Sequence, residues 1–185
     1  MARNPKDDDR SDPSLVAALN GGDTSAFDAI YYRYRDWVVR LAFRFTSNHA
    51  DAMDVLQETF AYLFRKFPGF FLSARMTTFL YPVVKNLSIA AKRKRERHIS
   101  DEHVADPAAP PITANLPTTR GDLSVALEIL PDAQREVILM RFVDDMSLAE
   151  IAAALDIPEG TVKSRLHNAI ATLRHDERAR SYFQD

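Results

Sequence analysis

The segment SLAEIAAALDIPEGTVKSRL, residues 147–166, predicts two short helices joined by a tight turn. Ser147 followed by Glu150 fits a capping box, in which each side chain accepts a hydrogen bond from the other residue's backbone N–H. The small alanines that follow allow a second helix to approach closely. The tripeptide Asp-Ile-Pro then makes the turn, because proline suits the first turn of a helix. This segment therefore predicts a helix-turn-helix.

The second of these helices has one apolar and one polar face. Its apolar stripe consists of Val162, Leu166, Ala169, Ile170 and Leu173. On or beside the opposite face are Thr161, Lys163, Ser164, Arg165, His167 and Asn168. Such side chains can contact base edges and phosphates in a major groove. The forked guanidinium of Arg165 suits a guanine edge, whereas Lys163 suits a phosphate.

Apolar spacing predicts helices on both sides of this segment and no alternating strand pattern. The predicted helices are residues 15–19 (stopped by Gly21-Gly22), 27–45, 56–67 (ended by Pro68-Gly69), 80–91, 123–130 and 132–143. We expect an all-α fold of two small helical domains joined by an extended linker. The expected organisation is a disordered tail at 1–12, a first domain at 13–97, a proline-rich acidic linker at 98–121 and a second domain at 122–180.

Charge is distributed unevenly along the 185 residues, although the net charge is only −2. Residues 27–97 carry 13 basic and six acidic side chains, a net +7, whereas residues 122–185 carry seven and 12, a net −5. A basic block of this size favours a polyanionic partner. Within the second domain, residues 157–175 carry a net +2 and residues 122–156 a net −6, so the positive end coincides with the predicted DNA-reading helix.

Several classes of function are excluded. The chain has no cysteine, which rules out a disulfide scaffold, a thiolate metal site and a cysteine nucleophile. The ligand-type residues of His98-Ile-Ser-Asp-Glu-His103 fall in the predicted linker, and we interpret them as a solvated polar stretch rather than a metal site. No phosphate-binding glycine loop, nucleophile elbow or acid–base pair is present. We expect a cytoplasmic protein that is not an enzyme and has no metal, cofactor or small-molecule substrate.

Three strings occur in order along the chain: DAMDVLQETF at 51–60, LPDAQREV at 130–137, and SLAEIA at 147–152 leading to GTVKSRL at 160–166. Together they resemble an extracytoplasmic-function (ECF) sigma factor of bacterial RNA polymerase, over about residues 13–175. The resemblance implies a first domain that binds core polymerase and melts the minus-10 element, and a second that recognises the minus-35 element. The partners it implies are core RNA polymerase (the β′ coiled coil and the β subunit), promoter DNA and an anti-sigma factor.

The resemblance also assigns residues to these roles. The core-polymerase set is Asp54, Leu56, Gln57, Glu58 and Phe60. The minus-10 set is Phe70, Phe71, Arg75, Phe79, Lys85, Asn86, Lys92, Arg93, Lys94 and Arg95. The minus-35 set is the polar face of the second helix of the helix-turn-helix. This chain departs from the family at Phe79, where tryptophan is usual, and at Pro82, where the family has a polar residue and proline removes a helical hydrogen bond.

Other interpretations remain open on sequence alone. Asp54 and Glu58 also fit a solvated acidic face, Phe79 also fits a core position, and the basic run from Lys92 also fits a solvated helix end. A free-standing helix-turn-helix regulator with an N-terminal sensing or dimerisation domain is the alternative function. An adaptor that binds only proteins is a third. Gel shifts with and without core polymerase discriminate among them.

Overall fold

The computed structural model describes residues 5–102 and 127–176 of the chain, which divides into two compact units, residues 1–107 (unit 1) and 108–185 (unit 2). Within the described residues all regular structure is helical, and no strand occurs there. The α-helices of unit 1 are α1 (Asp12–Asn20), α2 (Ser25–Thr46), α3 (His49–Phe64) and α4 (Met76–Glu102). Those of unit 2 are α5 (Asp132–Phe142), α6 (Leu148–Leu155) and α7 (Glu159–His175). The all-α prediction is confirmed.

Helix α2 is the centre of unit 1, because α1, α3 and α4 all pack against it. Each helix contributes fully buried apolar side chains to the core. The largest of them are Leu15, Ile30, Leu41, Leu63, Met76, Leu80 and Tyr81. Burial of such side chains is the main favourable contribution to folding, at roughly 1.5–3 kcal/mol each.

The corner between α2 and α3 is tightly built. Thr46 is fully buried and its hydroxyl donates to the carbonyl of Ala42 at 3.0 Å. Ser47 then adopts a left-handed conformation, with φ of 50°, which ends α2. The side chain of Asn48 accepts a hydrogen bond from the Asp51 N–H at 3.0 Å and so caps α3.

The N-terminal segment differs from the expected disordered tail. Residues 5–7 form a short 3-10 helix, and the following residues are held against α2. Arg33 donates to the carboxylate of Asp12 at 2.6 Å and to the carbonyls of Asp8 and Arg10 at 2.8 and 2.7 Å. Tyr34 donates to the same Asp12 carboxylate, and burial together with this bond raises the pKa of Tyr34. Composition did not reveal this order, because it depends on contacts with α2 as well as on the pairing of Arg10 with Asp8 inside the segment.

Helix α4 is longer than predicted at both ends. It begins at Met76 and contains Pro82 in its interior, so proline neither delays nor ends it. Pro82 can donate no hydrogen bond to the carbonyl one turn earlier, but packing against α2 and α3 supports the helix around it. At the other end the helix continues through residues 98–102, which were expected to begin the linker. Residues 103–121 of that linker lie outside the described residues, as do residues 1–4, 122–126 and 177–185.

Unit 2 is built around an apolar cluster that joins the residues before α5 to α5 and α7. Leu127, Leu130, Ile138 and Ala169 are buried in it. Partly buried residues packed around them are Ile129, Leu139, Leu166, Ile170 and Leu173. The predicted apolar stripe of α7 therefore faces the core of unit 2, with Val162 and Ala169 fully buried.

The predicted helix-turn-helix is present as α6, a turn and α7. The Ser147 N–H donates to the Glu150 carboxylate at 2.8 Å and the Glu150 N–H to the Ser147 hydroxyl at 3.2 Å, which confirms the capping box. Asp156 ends α6 in a left-handed conformation, with φ of 53°. Pro158 then precedes α7 as its N-cap. The packing of its apolar stripe into the core leaves the polar face of α7 on the outside of unit 2.

Candidate protein and nucleic-acid interfaces

The first candidate surface is the solvent side of α3. Asp54, Gln57 and Glu58 are all exposed there. Asp54 and Glu58 are one helical turn apart, so their carboxylates lie on the same face. This arrangement places two negative charges on one exposed face of α3.

Two other members of the predicted core-polymerase set are not on this surface. Leu56 and Phe60 are each only 4% exposed. The Phe60 ring packs edge-on against the rings of Tyr31 and Phe27, with centroids 4.8 and 6.1 Å apart. Leu56 and Phe60 therefore hold α3 against the core, and the accessible part of the set reduces to Asp54, Gln57 and Glu58.

Two grooves separate α3 from α4 on the outside of unit 1. One, of about 630 Å³, has Asp51, Asp54 and Glu58 along α3 and Lys94, Arg95, Arg97 and His98 along α4. The other, of about 750 Å³, is lined by residues that include Glu58, Tyr62, Phe79, Pro82 and Asn86. Glu58 lines both grooves, so the predicted polymerase and minus-10 sets adjoin one another along α3 and α4.

An aromatic cluster connects the second groove with the loop between α3 and α4. Phe79 packs against Phe70 with ring centroids 4.8 Å apart, and Phe70 packs against Phe67 at 5.3 Å. On its other side Phe79 stacks on Tyr62 at 6.4 Å. Phe71 is outside this cluster and is 83% exposed. Among the aromatic members of the minus-10 set, Phe70 and Phe79 are therefore packed and Phe71 protrudes.

The amide of Asn20, at the end of α1, holds this loop by its backbone. Its Nδ2 donates to the carbonyl of Phe70 at 2.8 Å, and its Oδ1 accepts from the N–H of Gly69 at 2.7 Å. Neither Asn20 nor Tyr62 is among the residues predicted from the sequence. Asn20 is 50 residues from Phe70, and no sequence pattern connects positions so far apart. For Tyr62, the only sequence signal is its helical position close to the start of the loop.

The basic end of α4 divides into exposed and engaged side chains. Lys92, Arg93 and Lys94 are exposed, as predicted for contacts with a phosphate backbone. Arg95 instead pairs with the Asp51 carboxylate and donates to the carbonyl of Thr46 at 3.0 Å. Since these bonds tie α4 to the corner between α2 and α3, Arg95 has a structural role, and its contact with DNA stays a prediction. Of the remaining members, Asn86 and Arg75 are exposed and Lys85 is half-buried.

The candidate surface of unit 2 is the polar face of α7. Lys163, Ser164, His167 and Asn168 are exposed, and Thr161 and Arg165 are half-buried. Lys163 forms an exposed ion pair with Glu159 one turn earlier, at 2.8 Å. An exposed pair of this kind contributes little stability, so a phosphate can displace the carboxylate from Lys163.

In residues 5–102 and 127–176, no three His, Asp or Glu side chains converge as metal ligands. Across the same described ranges, no helix has the length and apolar character needed to cross a membrane.

Comparison with protein families matches both units. A model described as Sigma-70 region 2 matches residues 30–98, and one described as Sigma-70, region 4 matches residues 120–173. The ECF RNA polymerase sigma factor SigW of Bacillus subtilis is 31% identical over 173 residues, which cover 86% of this chain and 92% of SigW. The ECF RNA polymerase sigma-E factor of Escherichia coli K12 is 29% identical over 176 residues, 86% and 90% of the two chains.

Two solved structures share the fold. One is CnrH in complex with the cytosolic domain of CnrY, with a TM-score of 0.63 and 23% identity over 87% of this chain and 93% of that one. The other is the sigma factor RpoE in complex with the anti-sigma factor NepR from Bartonella quintana, with a TM-score of 0.60 and 23% identity over 85% and 96%.

Proposed function

The chain belongs to the ECF sigma factors of RNA polymerase, and on that premise we propose how its surfaces divide the work of promoter recognition. Unit 1 docks on core polymerase through Asp54, Gln57 and Glu58. The loop between α3 and α4, which carries Phe67, Phe70 and the exposed Phe71 and is called the aromatic loop below, captures bases of the melted minus-10 element. Unit 2 places α7 in the major groove of the minus-35 element.

One observation carries this division: unit 1 holds an exposed acidic face and an aromatic loop side by side. Carboxylates repel DNA, so the acidic face suits a basic protein surface rather than the promoter. Exposed rings stack on unpaired bases of any identity, which suits single-stranded DNA. Together the two surfaces suit a domain that docks on polymerase and holds unpaired bases beside the docking face.

The polar face of α7 supports minus-35 recognition. Arg165 presents a fork of donors suited to the two acceptors of a guanine edge. Lys163 and His167 flank it, where the phosphate backbone of a bound groove would run. The net +2 of residues 157–175 favours approach by this end of unit 2.

The polymerase supplies the chemistry, so this chain acts as a dissociable specificity subunit and catalyses no reaction itself. It works where the nucleoid and the polymerase are, in the cytoplasm. Its partners are core polymerase, through the β′ coiled coil and the β subunit, promoter DNA, and an anti-sigma factor that masks it. The anti-sigma proposal draws on the solved relative RpoE, which was crystallised with its anti-sigma factor.

The alternative of a free-standing helix-turn-helix regulator is not favoured. It explains the match of residues 120–173 but gives no reason for a Sigma-70 region 2 match over residues 30–98. It also requires tight DNA binding without polymerase. The net −5 of residues 122–185 opposes such binding.

A gel-shift experiment tests the proposal. Fragments that bind the holoenzyme are first selected from a random DNA library, and the protein is then added to them with and without core polymerase at about physiological salt. We expect a specific complex only when core polymerase is present. Tight specific binding by the protein alone would favour the regulator, and no complex in either case would favour an adaptor that binds only proteins.

A further inference from the structure

The loop that joins α3 to α4 is attached to α1 through one side chain. Asn20 uses both polar atoms of its amide on consecutive loop residues, accepting from the Gly69 N–H at 2.7 Å and donating to the Phe70 carbonyl at 2.8 Å. A carboxamide used in this way reproduces the donor and acceptor pattern of a paired backbone. It therefore holds the peptide unit that enters Gly69 and the one that joins Phe70 to Phe71, and with them the position of the loop.

The position of Asn20 is itself well defined. The N–H groups of Gly22 and Asp23 donate back to the carbonyls of Leu19 and Ala18 at 3.1 and 3.0 Å, which closes the end of α1. Gly22 has φ of 92°, a left-handed conformation that favours glycine. The amide thus projects from a closed helix end whose Leu19 is buried in the core. A rigid element supports the contact on the side of α1.

On the side of the loop, the contact controls where the rings stand. The ring of Phe70 packs between Phe67 and Phe79, and its backbone carbonyl is bound by Asn20. The next residue, Phe71, is left 83% exposed. A side chain this exposed has little packing to orient it, so its position depends on the loop backbone, including the peptide unit between Phe70 and Phe71 whose carbonyl Asn20 binds.

We propose that Asn20 is a positioning residue for promoter melting, which presets the loop so that Phe71 is ready to receive an unpaired base. This inference rests on the proposed role of the loop in the minus-10 element. Asn20 itself touches no DNA in this proposal. Its effect comes from the lower cost of ordering the loop when the loop is already in its bound conformation.

The test measures open-complex formation by the holoenzyme, using a fluorescent base analogue in the minus-10 element of a selected promoter. Asn20→Ala removes both hydrogen bonds, and Asn20→Asp keeps an acceptor for Gly69 but loses the donor to Phe70. We expect about a three- to tenfold lower rate for Asn20→Ala and an intermediate rate for Asn20→Asp, since each exposed hydrogen bond contributes modestly. Ser14→Ala, at an exposed position of the same helix, is the matched control and should leave the rate unchanged.

Two readouts separate positioning from a general loss of structure. The defect of Asn20→Ala should shrink on a template whose minus-10 region is already mismatched, because strand separation then needs no help from the loop. In a Phe71→Ala background, the additional loss caused by Asn20→Ala should also shrink, because both changes act through one ring. An equal defect on both templates with additive losses would show a merely structural role and overturn the proposal.

The outcomes also separate this inference from the proposed function on which it rests. If Phe71→Ala slows melting and Asn20→Ala does not, the loop captures bases and the positioning role is wrong. If Phe71→Ala has no effect on melting, the role of the loop is wrong and the inference falls with it. The fluorescence of Trp37, which lies in α2, reports whether unit 1 of each variant is folded.

Discussion

Replacing Arg135 by alanine removes the guanidinium that holds the residues preceding α5. Its Nε donates to the carbonyl of Leu127 at 2.9 Å, and its Nη2 donates to the carbonyls of Glu128 and Leu130 at 3.0 and 2.9 Å. Leu127 and Leu130 are only 6% and 2% exposed and belong to the core cluster of unit 2. Water therefore replaces the lost donors poorly, and the segment that packs on α7 loses its attachment.

The expected loss of stability follows from these contacts. A hydrogen bond from a charged donor contributes about 1.5–3 kcal/mol when it is shielded from water. The Arg135 side chain is 33% exposed, so we discount the three bonds and expect Arg135→Ala to lower the unfolding free energy of unit 2 by about 2–4 kcal/mol in total. For a domain of this size, each kcal/mol lowers the melting temperature by about 4–8 °C. Arg135→Lys should recover less than half of the loss, because one ammonium cannot reproduce the fork.

The chain allows the two units to be followed separately. Its single tryptophan, Trp37, lies in α2, so its fluorescence reports unit 1, whereas far-ultraviolet circular dichroism reports helices of both units. We expect the variant to shift part of the dichroism transition and to leave the Trp37 transition unchanged. Arg174→Ala, at an exposed position of α7, is the control with the same change of charge. The reasoning would be refuted by equal stabilities of the Arg135 and Arg174 variants, within about 0.5 kcal/mol.

Three further predictions concern the proposed interfaces. Asp54→Lys combined with Glu58→Lys should abolish co-purification with core polymerase while changing stability by only about 0.5 kcal/mol per exposed site; full occupancy of a folded double variant would place the docking face elsewhere. In the holoenzyme, Arg165→Ala should reduce the free energy of promoter binding by about 1–3 kcal/mol and relax the base preference at one or two positions of a minus-35 library. Lys163→Ala should instead weaken binding to all sequences evenly and lower the slope of affinity against salt by about one. An unchanged base preference would show that Arg165 does not read the minus-35 element. Arg95→Ala should lower the unfolding free energy of unit 1 by about 1–2 kcal/mol, because it loses the ion pair with Asp51 and the bond to the Thr46 carbonyl. Unchanged stability would show that Arg95 has no structural role.

Sequence reasoning succeeded where the signal is local. The capping box of Ser147 and Glu150 lies within four residues, and the apolar stripe of α7 within four turns, so both follow from rules of helix geometry. The same rules placed the end of α1 at Gly21. Each of the seven α-helices was therefore predictable within the described residues, whereas the 3-10 helix at residues 5–7 and the extension of α4 to Glu102 were not.

It failed where a residue's role depends on a distant partner. Arg95 looked like one more cation in a basic run, and only the fold brings it to Asp51, 44 residues away. Arg135 stands within a motif string, but its task of binding three carbonyls appears only when the preceding residues are folded over it. For such contacts the sequence supplies the chemistry of the side chain and not the identity of its partner.

The burial of Leu56 and Phe60 means that one short string serves folding beside the docking proposed for it. Within α3, residues 54, 57 and 58 face solvent while residues 55, 56, 59 and 60 face the core, so core positions and proposed docking positions alternate at helical spacing. Phe60→Ala would remove the contacts with Tyr31 and Phe27 and cost unit 1 about 3–5 kcal/mol of stability, so it would report on the fold as well as on docking. Loss of polymerase binding at the buried positions is therefore uninformative about the interface. The three exposed positions test it, because there the loss of a partner and the loss of the fold are separate measurements.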